Sequence, residues 1–282
     1  MLLQETVQKP SVFKCGRYTL PIGKKTLIMG ILNVTPDSFY DGGKYNSLDN
    51  AIKKAHELVN DGVDVIEVGG QSFRPGHVTI EEKEEIGRVL PVVQRLVNEV
   101  NVPISVDTCK ASVVEKVLDA GVDIINDVWG LQLDERIAQL VSQSDAGIIM
   151  MHNSKTSEYK NLIGDVTKFL EKSIAIALEA GISKEKMMID PGLSFSFGKT
   201  QEQHIELLKH YQVFNSLGVS LLHATSRKTF MGNLLGVDVD KRLSPSIATV
   251  ALGISQGIDM IRVHDVYEMS LAVKMIDEIV RS

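Results

Sequence analysis

Apolar residues along this chain fall into two kinds of run that alternate. Short continuous runs rich in Val, Ile and Met recur at Thr26–Val34, Asp64–Gly70, Pro103–Thr108, Asp123–Val128, Ala146–His152, Lys186–Gly192, Val219–Thr225 and Asp259–Val266. Unbroken apolar character, rather than every-other-residue alternation, marks strands covered on both faces, as in a parallel sheet. Between these runs the apolar residues stand three and four apart, which predicts helices over stretches such as Leu48–Val59, Glu84–Val97, Val113–Leu118 and Phe169–Leu178, and a last one over Glu268–Val280. Ser47 and Asp134 stand where helix N-caps are expected.

A small repeat supports this organisation. Gly62-Val63-Asp64, Gly121-Val122-Asp123 and Gly257-Ile258-Asp259 each separate a helical pattern from a strand pattern. Glycine there tolerates the left-handed conformation that ends a helix. Eight strand–helix units joined by short turns predict an α/β fold, a closed (βα)₈ TIM barrel rather than an open doubly wound sheet. Phe13–Ile22 predicts a short hairpin ahead of the first barrel strand. No linker or low-complexity stretch divides the chain, so residues 1–282 read as a single domain with the barrel proper from about residue 26 to 282.

Composition narrows the class of function. With 44% hydrophobic and 23% charged residues the chain has material for a large core. Its net charge of −6 argues against a nucleic-acid partner. No apolar run approaches the roughly 20 residues of a membrane span, and Met1 to Ser11 lack the apolar centre of a signal peptide. Cys15 and Cys109 leave room for one long-range disulfide at most, and no CxxC or His/Cys cluster suggests structural zinc. The expected location is a reducing cytoplasm.

Polar residues gather at the C-terminal ends of nearly every predicted strand. They are Asn33, Gln71 and Arg74, Asp107, Asn126, His152 and Asn153, Asp190, Ser226 to Lys228, and Arg262 with His264. In a barrel of this type that end carries the active site. Each residue has a bland alternative: Asp107 as a helix N-cap, Asn126 and Asp127 as turn formers, Ser226 to Lys228 as a solvated turn, His264 as a core histidine. For all of them the bland roles would have to coincide on one face. Asp107, Asp190 and Asn126 suit the N–H-rich edge of a flat heterocycle. Arg74, Lys228, Arg262 and His264 supply positive charge for phosphate oxygens. The loop Asn33–Gly43 carries Asp37 and Asp41 and offers oxygens suited to Mg²⁺. No P-loop and no GxGxxG occurs.

An ordered set of motifs resembles the dihydropteroate synthase family. MGILNVTPDSFYDGG at Met29–Gly43 is similar to its first signature and VIEVGGQSFRPG at Val65–Gly76 to its second. ISVDTCK (Ile104–Lys110), IINDV (Ile124–Val128), DPG (Asp190–Gly192), SRKTFMG (Ser226–Gly232) and IRVHDV (Ile261–Val266) follow in order. The resemblance implies condensation of 7,8-dihydropterin-6-ylmethyl diphosphate with 4-aminobenzoate. It implies pterin binding by Asp107, Asn126, Asp190 and Lys228, and diphosphate binding by Asn33, Arg74, Arg262 and His264, with Mg²⁺ near Asn33. Asp37 and Asp41 would close over the leaving group, so that Asp107, Asp190, Lys228, Asp37 and Asp41 form the implied catalytic set. Arg227 and Thr229 would lie near the aminobenzoate carboxylate. The family is typically homodimeric and is a sulfonamide target.

Three departures fall outside the pterin half. Phe73 stands where the family usually has Thr. DPGLSFSFGK, Asp190 to Lys199, is two residues longer than the usual loop, so Phe195 and Phe197 compete for the aromatic wall beside aminobenzoate. Met151-His152-Asn153 replaces Met-His-Met. Two other readings compete: a methyltetrahydrofolate-dependent methyltransferase module, which has no reason to keep the diphosphate cations, and a non-catalytic or altered-substrate pterin-binding paralogue.

Overall fold

The computed structural model describes residues 9–35, 44–71, 79–193 and 199–281, the side chains of 44–47 excepted. An antiparallel hairpin, β1 (Val12–Cys15) and β2 (Tyr18–Pro21), comes first, as the sequence predicts. Eight parallel strands then close on themselves: β3 (Leu27–Asn33), β4 (Val65–Gly69), β5 (Ile104–Asp107), β6 (Ile124–Asp127), β7 (Gly147–Met151), β8 (Met187–Asp190), β9 (Ser220–His223) and β10 (Met260–Val263). β10 pairs with both β9 and β3, which completes a TIM barrel. Each strand lies inside one of the eight predicted runs.

The surrounding helices are α1 (Lys44–Asn60), α2 (Glu82–Glu99), α3 (Ala111–Asp119), α4 (Arg136–Ser142), α5 (Leu162–Glu179), α6 (Gln201–Lys209), α7 (Thr229–Leu235), α8 (Leu243–Ser255) and α9 (Val266–Val280). Two cap assignments change. The described part of α1 begins at Lys44, so Ser47 lies inside the helix and not at the N-cap position expected for it. Asp134 does cap α4 chemically, accepting the Arg136 N–H at 3.2 Å, although the helix is entered through Glu135. α5 begins ahead of the stretch visible in the sequence, because Asn161 caps it by accepting the Gly164 N–H at 3.0 Å.

The Gly–apolar–Asp repeat has a double purpose. Gly62, Gly121 and Gly257 adopt φ of +92°, +90° and +84°, the left-handed turn that ends a helix. The Asp two residues later then accepts a backbone N–H of the preceding strand. Asp64 holds Ile28 at 2.9 Å, Asp123 holds Ile104 at 3.0 Å, and Asp259 holds Leu221 at 2.8 Å. The repeat therefore ties strand starts together at the N-terminal end of the barrel.

Side-chain alternation splits each strand between two environments. One set, including Ile28, Ile66, Val106, Ile148, Ile189 and Ile261, packs outward against helices. The other set points inward, and its lower part is apolar: Met29, Val65, Ile124, Ile149, Met188, Leu222 and Met260. Phe13 and Cys15 of the hairpin join this inner cluster and close the N-terminal mouth. Gly147 makes room for them, since a Cβ there would come within 2.8 Å of the Phe13 ring. Both cysteines are free and buried. Among the described residues no helix is long and apolar enough to cross a membrane.

Candidate active site

Further along β4, β5, β6, β8 and β10 the same inward alternation carries Glu67, Asp107, Asn126, Asp190 and Arg262. The register aligns four neighbours in a row: Asn33 beside Gly69, Gly69 beside Asp107, and Asp107 beside Asn126. Gly69 leaves space for the Asn33 side chain, whose Oδ1 would lie 3.3 Å from a Cβ added there. The Asn126 amide donates to Glu67 Oε1 at 2.7 Å. The Arg262 guanidinium donates through Nε to Glu67 Oε2 and through Nη2 to Asp107 Oδ2, the latter at 3.2 Å. Asp107 Oδ1 is buried and finds no hydrogen-bond partner among the described residues. Burial and the nearby Glu67 push the Asp107 carboxyl up to about 8, against the pull of Arg262 and Lys228.

Asp190 closes the other side of the mouth. Its Oδ1 accepts the Gly192 N–H at 2.8 Å, and burial raises its pKa while that bond, Lys228, Arg262 and Lys199 lower it. Lys228 enters from the N-terminus of α7. Burial and then Arg262 lower its ammonium to about 8, and Asp190, Asp107 and Glu67 oppose the shift. Asp107 and Asp190 thus act on Lys228 and Arg262, two of the four expected positive groups, across a single interior space. Lys199 is buried too. Its Nζ lies 2.9 Å from His152 Nδ1, and burial lowers its ammonium to about 7 against the attraction of Asp190. His152 stays neutral, lowered to about 2 by burial and Lys199, with its ring edge-on to Phe169 at 4.8 Å.

The β9–β10 side of the mouth is more open. Ser226 Oγ lies 3.0 Å from His264 Nδ1 and also accepts the His264 backbone N–H at 3.1 Å, so the two predicted segments meet. His264 and Thr229 are exposed. Arg227 forms a bidentate pair with Asp265, both contacts at 2.7 Å, and donates to the Val239 carbonyl. Asp127, the turn former, is occupied elsewhere: its oxygens accept the Trp129 and Leu131 N–H groups at 2.8 and 2.7 Å. Asp37, Asp41, Phe73, Arg74, Phe195 and Phe197 lie outside the described residues.

The model of the pterin binding enzyme family matches residues 29–264. Dihydropteroate synthase of Bacillus subtilis is 42% identical over 276 residues, which is 98% of this chain and 96% of that protein. That of Clostridium beijerinckii is 43% identical over 95% of this chain and 99% of its own length. The chain belongs to the dihydropteroate synthase family. Solved structures of dihydropteroate synthases agree. That from Clostridium difficile, determined in the presence of pteroic acid, superposes with a TM-score of 0.90 at 46% identity, covering 93% of this chain and 99% of that one. That from Xanthomonas albilineans with 4-aminobenzoic acid gives 0.89 at 34% identity, covering 95% and 98%.

The resemblance to dihydropteroate synthases implies a Mg²⁺ ion near Asn33. Among the described residues no three His, Cys, Asp or Glu side chains group as a protein cage for one. A hard cation that keeps mostly water and phosphate oxygens needs no such cage, and one amide oxygen such as Asn33 Oδ1 fits that donor set. Two polar residues escaped the sequence reading of the dihydropteroate synthase signatures. Glu67 sits mid-strand in an apolar run, and its signal was its parity with Gly69. Lys199 ends the DPGLSFSFGK loop, and its partner His152 is far away in sequence.

Proposed function

We propose that this chain condenses 7,8-dihydropterin-6-ylmethyl diphosphate with 4-aminobenzoate, giving 7,8-dihydropteroate and diphosphate, with the whole chain acting as one domain. The observation that carries the reading is the convergence of Asp107, Asn126 and Asp190 with Arg262 and Lys228 inside one barrel mouth, in a chain of this family.

In this reading Asp107, Asn126, Asp190 and Lys228 hold the pterin edge. Asn33, Arg74, Arg262 and His264 take the diphosphate, and Asp37 and Asp41 close over it. The bond between the pterin methylene carbon and the diphosphate oxygen breaks, and the leaving oxygen's charge is met by those cations. The positive charge left on the methylene and ring is stabilised more than the neutral ground state is by the Asp190 carboxylate and by Asp107, which gives up its proton to solvent as the cation forms beside it, and that is what accelerates the step. The aniline nitrogen then attacks and loses a proton; an aryl ammonium is acidic enough to need no strong base. Asn33 would hold Mg²⁺, which when bound neutralises diphosphate oxygens.

Phe73, Phe195, Phe197, Arg227 and Thr229 would form the aminobenzoate side. Arg227 reaches a substrate carboxylate only by sharing or leaving Asp265. The proposal includes a homodimer in the cytoplasm. Tyr267, Leu271, Met275 and Ile279 stand four apart on α9, each at least 52% exposed, and form one apolar stripe suited to a self-complementary contact.

Purified protein supplied with both substrates and Mg²⁺ is expected to release diphosphate only when 4-aminobenzoate is present, with dihydropteroate appearing in equal amount. Absence of turnover under those conditions overturns the reading. Light scattering after gel filtration tests the dimer.

A further inference from the structure

Glu67 is fully buried in the middle of β4 and has been given no substrate above. A buried carboxylate needs compensation, and the Arg262 guanidinium supplies it. The second bond, to Asn126, is not needed for that charge balance. Its consequence is polarity. A carboxylate engaged by a guanidinium accepts hydrogen bonds and donates none. It therefore fixes the Asn126 amide with its NH₂ toward Glu67, and the Asn126 carbonyl oxygen is turned away. Arg262 meanwhile occupies Asp107 Oδ2, while Asp107 Oδ1 is buried and finds no hydrogen-bond partner among the described residues. Asp107 and Asn126 are register partners on adjacent strands.

We propose that Glu67 is a positioning residue that sets the polarity of ring recognition: it fixes Asn126 as an acceptor and, through Arg262, leaves one Asp107 oxygen open, so that the pocket takes a heterocycle edge presenting N–H donors. This rests on the pterin reading above and names which residue imposes the donor requirement on the ring. With Glu67 neutral and able to donate, the Asn126 amide is free to turn over and present a donor where the ring also presents one.

Two variants test this: Glu67→Gln, and Glu67→Gln combined with Asn126→Asp. In the second, the introduced glutamine amide donates to the introduced carboxylate, which has only acceptor oxygens whichever way it turns. Calorimetry would measure the affinity for the pterin diphosphate substrate and for pteroic acid, which carries no diphosphate. For Glu67→Gln both dissociation constants are expected to rise by at least about tenfold, the scale of an unpaired polar group in a recognition site. The KM for 4-aminobenzoate should stay within about twofold, and kcat at saturating substrates should fall much less than the pterin affinity. The double variant should recover both affinities to within about threefold of the parent.

Unchanged affinities in Glu67→Gln, with only a lower melting temperature, overturn the proposal in favour of a structural role. A loss confined to the diphosphate ligand overturns it in favour of an effect of Arg262 charge on the anion. A double variant that binds no better than the single one also overturns it. If Glu67→Gln does not fold, the double variant decides; if neither folds, Glu67 serves stability and the proposal falls. Failure of the parent protein to bind the pterin diphosphate would instead sink the functional reading, a separate outcome.

Discussion

The lower and upper halves of the barrel interior are built from the same strands by the same alternation, yet they oppose each other in chemistry. Below, Met29, Val65, Ile124, Ile149, Met188, Leu222 and Met260 form a dry layer closed by Phe13. Above, Glu67, Asp107, Asn126, Asp190 and Arg262 occupy equivalent inward positions one step along. The lower layer gains free energy by burial. The upper layer holds Asp107 and Asp190, whose carboxyls burial pushes up, and pairing offsets only part of that cost. Stability is therefore drawn from one end of the barrel and used at the other, where a ligand can satisfy what folding leaves open.

If that division holds, a change in the upper layer should damage activity without damaging the fold. Asp190→Ala is expected to lower kcat/KM by about 10³-fold, roughly 4 kcal/mol of lost transition-state stabilisation. Steady-state kinetics gives the activity and a thermal melt gives the stability. A melting temperature reduced in proportion to activity would show that the two halves do not divide the labour.

The reciprocal change lies at the plug. Phe13→Ala removes a fully buried ring from the closed end, and a loss of about 3 kcal/mol in unfolding free energy is expected from burial and cavity terms together. The kcat of the folded variant should be nearly unaltered, because the ring sits with the lower layer. Urea unfolding checks the first statement and turnover well below the variant's melting point checks the second.

How legible each half was in the sequence follows from the range of the contacts. All eight strands could be read, because burial on both faces leaves few polar residues within the run itself, Glu67 and Arg262 being exceptions. The meeting of Asp107, Asn126 and Asp190 in one barrel mouth could be read as far as they end strands, since a polar group there has few other reasons to recur. What could not be read depends on register and on distant partners. Glu67 becomes part of the site only when β4 is aligned with β5 and β6. Arg227 looks like a free cation until Asp265, 38 residues away, is brought against it. At Ser47 the local signal misleads: the apolar spacing becomes visible only there, although Lys44 is already helical.

A subtler contrast between the halves appears on titration. The Asp107 carboxyl, raised to about 8 by burial and Glu67, binds a proton in the folded protein that the unfolded chain releases near pH 4. Its contribution to stability is thus present at low pH and is lost as pH rises through about 8. Asp107→Asn removes that term and keeps an acceptor for Arg262. The variant should gain on the parent as pH rises from about 5 to 8, by no more than about 1.4 kcal/mol per pH unit. His152 acts in the opposite sense: lowered to about 2, it stabilises the fold above its unfolded pKa, and this is lost as pH falls from about 6.5. Melting temperatures of both proteins across this range test the sign. A difference that does not vary with pH would mean that Asp107 is ionised throughout.

The smallest effect is expected at Lys199, which lies behind Asp190. Three other groups lower the Asp190 pKa more strongly, namely the Gly192 N–H, Lys228 and Arg262. Lys199→Met therefore removes the weakest of the supports, and the KM for the pterin substrate should rise only about threefold at neutral pH, a fraction of one pKa unit of interaction. Because burial holds the Lys199 ammonium near 7, the group loses its charge about one pH unit before Lys228, which is lowered only to about 8, and well before Arg262. The ratio of variant to parent KM should accordingly shrink toward unity between about pH 6 and 8.5, a pattern that loss of packing alone does not produce. Paired pH–KM profiles decide it. A loss of fiftyfold or more (about 2.3 kcal/mol) that persists at the alkaline end would place Lys199 among the groups that hold the ring, and the boundary between the anchoring layer and its support would move outward by one residue.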